Sequence, residues 1–215
     1  IIFMKWNDHH QLEGKHAFLS ASKFTWLNWD PETLEMRFYS QYQQEIGTLI
    51  HELAHRRIVC RRKINKNDVH LIEDVMDQNY IPRGAYDPAK ILENLVPFIN
   101  DAIGFRMDSE IILYYNQYCF GTTDAIVYDE KNKILRIHDY KNGVTPAHME
   151  QLLIYAALYC LEYNKNPKDF ATELRLYQLS EIIVHQPKPE EILTIINVIK
   201  QQTLCIYGFA GGDIR

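Results

Sequence analysis

The chain has 215 residues, 47% of them apolar, 24% charged and 12% aromatic, a length for one generous domain or two small ones with a real core. That composition excludes a disordered chain, a collagen-like repeat and a disulfide-stapled miniprotein. Lysine and arginine total 23 against 28 aspartates and glutamates, a formal charge of -5, so no partner is held by bulk positive charge and any nucleic-acid contact must be local or helped by bound cations.

Residues Ile1–Lys5 carry no basic region followed by an apolar stretch, so no secretory signal is expected, and Met4 is a candidate start. Ser20 and Ser22 are placed to cap a first short helix. A longer helix is expected from about Gln41 to Arg62, with Ile46, Leu49, Ile50, Leu53 and Ile58 at helical spacing. One more should follow Asn67, and another Asp87 and Pro88. From Ile111 the pattern changes to short runs rich in Ile, Val and Tyr, namely Ile111–Cys119, Thr123–Tyr128 and Ile134–Tyr140, with turns at Gly121 and at Asp129–Lys133. These predict a three-stranded antiparallel meander. Thr145 and Pro146 make a good helix start, running to about Tyr163. Strand-like Glu173–His185, in one or two pieces, and a helix from Pro189 to about Cys205 complete the chain.

The expected architecture is α+β, a central mixed sheet flanked by helices, as a single domain 1–215 with a mainly helical part to about 105 and the sheet after it. The longest apolar run, Leu152–Leu161, falls short of the roughly 18 residues of a bilayer span, so no transmembrane helix and no membrane partner are expected. Cys60, Cys119, Cys160 and Cys205 lie far apart without a Cys-x-x-Cys pair, which points to a reducing cytoplasm and away from a zinc ribbon or a disulfide framework.

Pairing Asp129 with Ile134 across a hairpin fixes the register, because antiparallel partners keep a constant sum of residue numbers. Asp124 then stands opposite Asp139 on one face. Two carboxylates in that arrangement destabilise a sheet unless a cation offsets them. Lys141 projects on the same side as Asp139. On the following helix Gln151 and Tyr155 share a face at spacing i, i+4. An isolated Asp-x-Lys is usually a solvated strand end; the company these residues keep is what argues otherwise.

With Gly47–His51, Gly121–Asp124, Asp139–Lys141 and Gln151–Tyr155 in this order, the chain resembles the PD-(D/E)XK nuclease superfamily, in its RecB-like exonuclease branch. The early Leu19-Ser20-Ala21-Ser22 segment is similar to the start of phage-borne relatives, and the likeness extends from about residue 16 to 186. The resemblance implies a restriction-endonuclease-like core and a metal-dependent DNA exonuclease of phage or prophage recombination or replication. DNA, single- or double-stranded, is the partner it implies, with a homo-oligomer or a recombination protein left open. His51, Asp124, Asp139 and the backbone carbonyl of Tyr140 would hold Mg²⁺ or Mn²⁺. Lys141 would steady the attacking water or the developing charge, and Gln151 and Tyr155 would orient water, lysine or substrate. Glu110, at the start of the first strand, is a candidate for a second metal, although a strand-edge glutamate is more often solvated. Iron-sulfur members of this branch have a cysteine spacing that this chain lacks, so no cluster is expected.

Two other readings compete. His51-Glu52-Leu53-Ala54-His55 matches H-E-x-x-H, the zinc metallopeptidase motif, with Glu73, Asp74 or Asp77 as a third ligand; it leaves Asp124, Asp139, Lys141, Gln151 and Tyr155 unexplained. A non-catalytic nucleic-acid-binding module would use Arg56, Arg57, Arg61, Arg62, Lys63 and Lys66 as a phosphate track, although such runs are usually a solvated helix face. Phe24, Trp26, Trp29 and Tyr42 are candidates for base stacking and, more commonly, for packing.

Overall fold

The computed structural model describes residues 7, 9–12, 14–15, 17–143 and 145–209, so Ile1–Lys5, including Met4, lie outside the described residues. The chain divides into two compact units, Ile1–Tyr42 and Gln43–Arg215. In the first, the expected serine-capped helix is a 3₁₀ segment, Ala21–Asn28, and the Ser20 hydroxyl meets that of Ser22 at 2.6 Å instead of capping the backbone. Helix α1 (Pro31–Ser40) begins where Asp30 accepts the Thr33 N–H and Pro31 takes the first position. The aromatic candidates here are largely packing residues. Trp26 donates to the Ser20 carbonyl, Trp29 meets Phe18, and Tyr42 meets Phe38, while Phe24 stays exposed.

The second unit opens with α2 (Gln43–Val59), α3 (Val69–Gln78) and α4 (Pro88–Gly104). In α2 the expected stripe is the buried one, Ile46, Leu49, Ile50, Leu53 and Ile58. Asp87 caps α4 through the Ala89 and Lys90 amides. A five-stranded sheet follows in the order β1 (Asp108–Asn116), β2 (Cys119–Asp129), β3 (Ile134–Tyr140), β4 (Ala171–Gln178), β5 (Glu181–His185). The first three strands form the antiparallel meander, β4 lies parallel to β3, and β5 returns antiparallel. The fold is thus α+β with a mixed sheet. The parallel pair requires a crossover, which is made by α5 (Glu150–Glu162); α6 (Pro189–Phe209) closes the unit.

Two boundaries differ from expectation. Gly121 lies inside β2, and the chain turns instead at Gln117–Tyr118, where the Asn116 side chain accepts the Tyr118 N–H. Helix α5 starts at Glu150 rather than at Thr145, because Gln178 of β4 takes up the intervening loop: its amide donates to the Gly143 and Thr145 carbonyls, and its oxygen accepts the Ala147 N–H.

Helices pack on both faces of the sheet. On one, Ile126, Leu135, Ile137 and Leu174 meet Leu152, Ala156 and Leu158 of α5 and Ile192, Ile196 and Ile199 of α6. Against the expectation of no such segment, helix α6 is long and apolar enough, with a mean hydropathy of 1.2, to cross a membrane by length and composition alone; here only its Ile192, Ile196, Ile199 and Thr203 stripe is buried. On the other face α4 covers Tyr140 and Tyr177 with Phe98, and His138 with Phe105. The single hydroxyl proton of Tyr177 goes to Asp101 at 2.7 Å, so His138 Nδ1 donates to the Tyr177 oxygen at 3.1 Å and its Nε2 is left buried without a partner. Burial, with the Arg175 and Arg136 charges, holds this imidazole neutral, its pKa drawn down to about 3.

Candidate metal centre

The candidate residues come from α2, from strands β1, β2 and β3, and from α5. His51 sits on the flank of the buried stripe of α2, with its ring edge-on to Tyr140 at 5.6 Å. Its Nδ1 lies 3.3 Å from Asp124 Oδ1. The β2–β3 ladder keeps the expected register, with Asp129 opposite Ile134, but its last pair is Ala125 with His138. Asp124 therefore does not form a ladder pair with Asp139. It turns its other oxygen to the Tyr140 backbone N–H, at 2.8 Å. Held at both oxygens, Asp124 joins helix to strand.

Glu110 is the third member of the group. It stands in β1 with φ +59, between the Ser109–Ala125 and Ile111–Thr123 pairs, in a left-handed conformation that costs a non-glycine residue on the order of 1–3 kcal/mol. That bend brings its carboxylate to the histidine: ligand atoms of His51, Glu110 and Asp124 all lie within 4.8 Å of one another. A cavity of about 420 Å³ lined by Thr48, His51, Glu52, His55, Arg56 and Glu110 opens beside them.

Asp139 is buried, 1% exposed, and pairs with Lys141. The ammonium lies 2.9 Å from Asp139 Oδ2 and 3.2 Å from Oδ1, so both carboxylate oxygens face it. The carbonyl of Tyr140 belongs to the same strand end, between these two residues.

The electrostatics share one direction. Burial first, then the Asp124 charge, raises the Glu110 carboxyl, against His51 and His55. Burial and Asp124 push Asp139 up to about 6, against Lys141 and His51. Burial alone would lower His51, but the hydrogen bond and charge of Asp124, with Asp139 and Glu110, outweigh it. Lys141 likewise rises, since Asp139, Asp124 and Tyr155 overcome its desolvation. The two bases rise against their own burial because carboxylates surround them, which marks a surplus of negative charge. The imidazole of His51 with the Glu110 and Asp124 carboxylates, ligand atoms within 4.8 Å of one another, is a donor set that fits a divalent cation, with the buried Asp139 carboxylate adding charge nearby.

Gln151 and Tyr155 meet on α5, amide to hydroxyl, at 3.1 Å. Tyr155 also explains Gly121. A Cβ at that position would stand 2.9 Å from Tyr155 Cε1, too close for an aromatic ring that has little room to yield. Gly121→Ala should destabilise the protein by about 1–3 kcal/mol and displace Tyr155 from Gln151; a melting curve reads the first effect, and the Tyr155 ring resonances read the second.

The residues of the competing motifs are only partly assembled. His55 Nδ1 is buried and has no partner, and Glu52 is exposed. The three-residue ligand group found among the described residues includes neither His55 nor Glu73, Asp74 and Asp77 of α3, and Asp77 is paired with Arg83. Of the basic run, Arg61 is tied to the Met107 carbonyl and Arg57 is half-buried, whereas Arg56, Arg62, Lys63 and Lys66 are exposed. The cysteines are all free. What the sequence did not reveal is the Tyr140 amide that fixes Asp124, because a backbone donor has no signature in residue type. A scan against protein-family models gives no match, and no curated protein matches this chain.

Proposed function

We propose that the second unit is a metal-dependent phosphodiesterase acting on DNA, an exonuclease of the RecB-like kind built on a restriction-endonuclease-like core. The observation that carries this reading is the convergence of His51, Glu110 and Asp124 beside the buried Asp139–Lys141 pair. The meander, the α5 crossover and the parallel strand β4 support it at the level of topology. His51, Glu110, Asp124 and Asp139 would hold the cation, with the imidazole favouring Mn²⁺ over Mg²⁺. When bound, the metal would supply Lewis acidity to the scissile phosphate and lower the pKa of its water. Lys141 holds positive charge where the phosphate reacts, Tyr140 fixes the Asp124 carboxylate, and the Gln151–Tyr155 pair presents a hydroxyl and an amide to water or backbone. The peptidase reading is disfavoured because the ligand group of His51, Glu110 and Asp124 includes neither His55 nor an acidic residue of α3.

The test begins with binding. Mn²⁺ at about a hundredfold its Kd should raise the melting temperature by roughly 5–10 °C, from a linkage gain of about 2.7 kcal/mol. Asp124→Ala should remove that shift. End-labelled single- and double-stranded DNA should be cleaved in Mg²⁺ or Mn²⁺ and spared in EDTA. The absence of both a thermal shift with Mg²⁺, Mn²⁺ or Zn²⁺ and EDTA-sensitive cleavage would sink the proposal, and a Zn²⁺-dependent proteolysis lost in Glu52→Gln would replace it.

A further inference from the structure

Helix α5 starts beside the metal centre and runs for 13 residues, about 20 Å at 1.5 Å per residue. At its far end a groove of about 590 Å³ lies between the 163–168 loop and α6. Leu161, Leu193 and Ile196 contribute an apolar floor, and Lys165, Lys168 and Lys200 stand on its rim. No carboxylate lines it. The loop is set in place: Asn166 accepts the Lys168 N–H, the Lys165 N–H reaches the Cys160 carbonyl, and the Lys165 ammonium rests 5.6 Å from the Tyr128 ring centre. Lys168 and Lys200 are exposed, and neither has an ion-pair partner among the described residues.

In a chain of formal charge -5, lysines left without counter-charges around one apolar groove call for an external anion with an apolar part. We propose that this groove docks an acidic peptide segment of a partner protein, with an apolar side chain on the floor and carboxylates on the lysine rim. A DNA strand fits it less well. Tyr115 is the single aromatic ring on its lining and is half-buried, where base stacking needs exposed rings, and the groove lies a helix length from the centre. Clusters of basic side chains are a recurrent way of reading acidic motifs. The proposal stands independently of the nuclease reading.

The test is fluorescence anisotropy on the full chain with a labelled synthetic peptide of aspartates and leucines ending in phenylalanine. Control peptides replace all aspartates by asparagine or all apolar residues by serine. Saturable binding in the micromolar range is expected for the first peptide alone, weakening with salt because the rim is solvent-exposed. Lys168→Glu with Lys200→Glu should weaken it at least about tenfold, and Leu193→Asp should do so through the floor. The far-ultraviolet circular dichroism spectrum of each variant should match that of the unsubstituted chain, which separates lost docking from lost folding. Equal binding of the serine control would reduce the groove to a charge patch. Displacement of the peptide by oligothymidylate at similar concentration would assign the groove to nucleic acid, and the absence of saturable binding would remove it.

Discussion

Asp139→Asn should melt higher than the unsubstituted protein in EDTA at pH 7.5 and should not cleave DNA. Burial and the neighbouring Asp124 raise the Asp139 pKa to about 6, above its value in an unfolded chain. The folded state therefore holds this proton more tightly than the unfolded state does. The corresponding stability is fully present below the unfolded pKa and is lost as pH rises through about 6. At pH 7.5 the metal-free protein carries an ionised buried carboxylate that asparagine replaces with a neutral group. The raised pKa is already net of the Lys141 pairing, so the neutral asparagine should gain stability, read as a rise of roughly a few degrees in melting temperature. Cleavage should fall by roughly 10³-fold or more, because metal-assisted hydrolysis depends on several kcal/mol of charge stabilisation. Melting both proteins in EDTA between pH 4.5 and 8 gives the decisive curve: the gap should close as pH falls and the aspartate takes up its proton. A variant that melts lower than the unsubstituted protein at pH 7.5 would make Asp139 a structural anchor.

The parts of this arrangement that were legible in the sequence are those set by local chemistry. Strand β3 was readable because alternating branched residues are bounded by Asp129, whose carboxylate accepts the Lys131 and Asn132 amides and so fixes the hairpin register. The α2 stripe and the Asp87–Pro88 start of α4 were readable for similar reasons. Misplaced features depend on residues distant in sequence. Gly121 suggests a turn by composition, yet it accommodates the ring of Tyr155 from α5. Thr145 and Pro146 have the chemistry of a helix start, but Gln178 holds that loop extended from a later strand.

The candidate centre divides along the same line. The order of Asp124, Asp139 and Lys141 follows from strand periodicity, and their approach follows from the register. The left-handed bend that carries Glu110 toward His51 has no sequence cue, since glycine or asparagine would be the usual occupant of that conformation. A glutamate kept in a strained position beside two other ligand candidates is the sort of outlier from which function is properly inferred. The turn of Asp124 toward the Tyr140 amide is equally silent in sequence. It relieves the direct opposition of two carboxylates by giving one of them a donor and an imidazole.

Lys141→Ala should separate binding from turnover. The ammonium sits 2.9 Å from Asp139 Oδ2, and the surrounding carboxylates raise its pKa despite burial, so it is cationic throughout the assay range. A fixed charge at the reacting phosphate stabilises the transition state, where negative charge grows, more than the bound substrate. DNA affinity measured in Ca²⁺, which fills oxygen sites but supports hydrolysis poorly, should change by no more than a few fold, while single-turnover cleavage in Mg²⁺ should drop by about 10²–10³-fold, the scale of one lost electrostatic contact. Lys141→Arg should not restore the rate, because a planar, bulkier guanidinium cannot occupy the same point. The Mn²⁺ thermal shift gives an independent readout. Removing a cation from a cluster already rich in negative charge should leave that shift equal or larger, whereas a lysine that merely holds the fold together would lower the melting point and shrink it. Binding and cleavage that fall by the same factor would make Lys141 a phosphate anchor, and unchanged cleavage would take it out of the chemistry altogether.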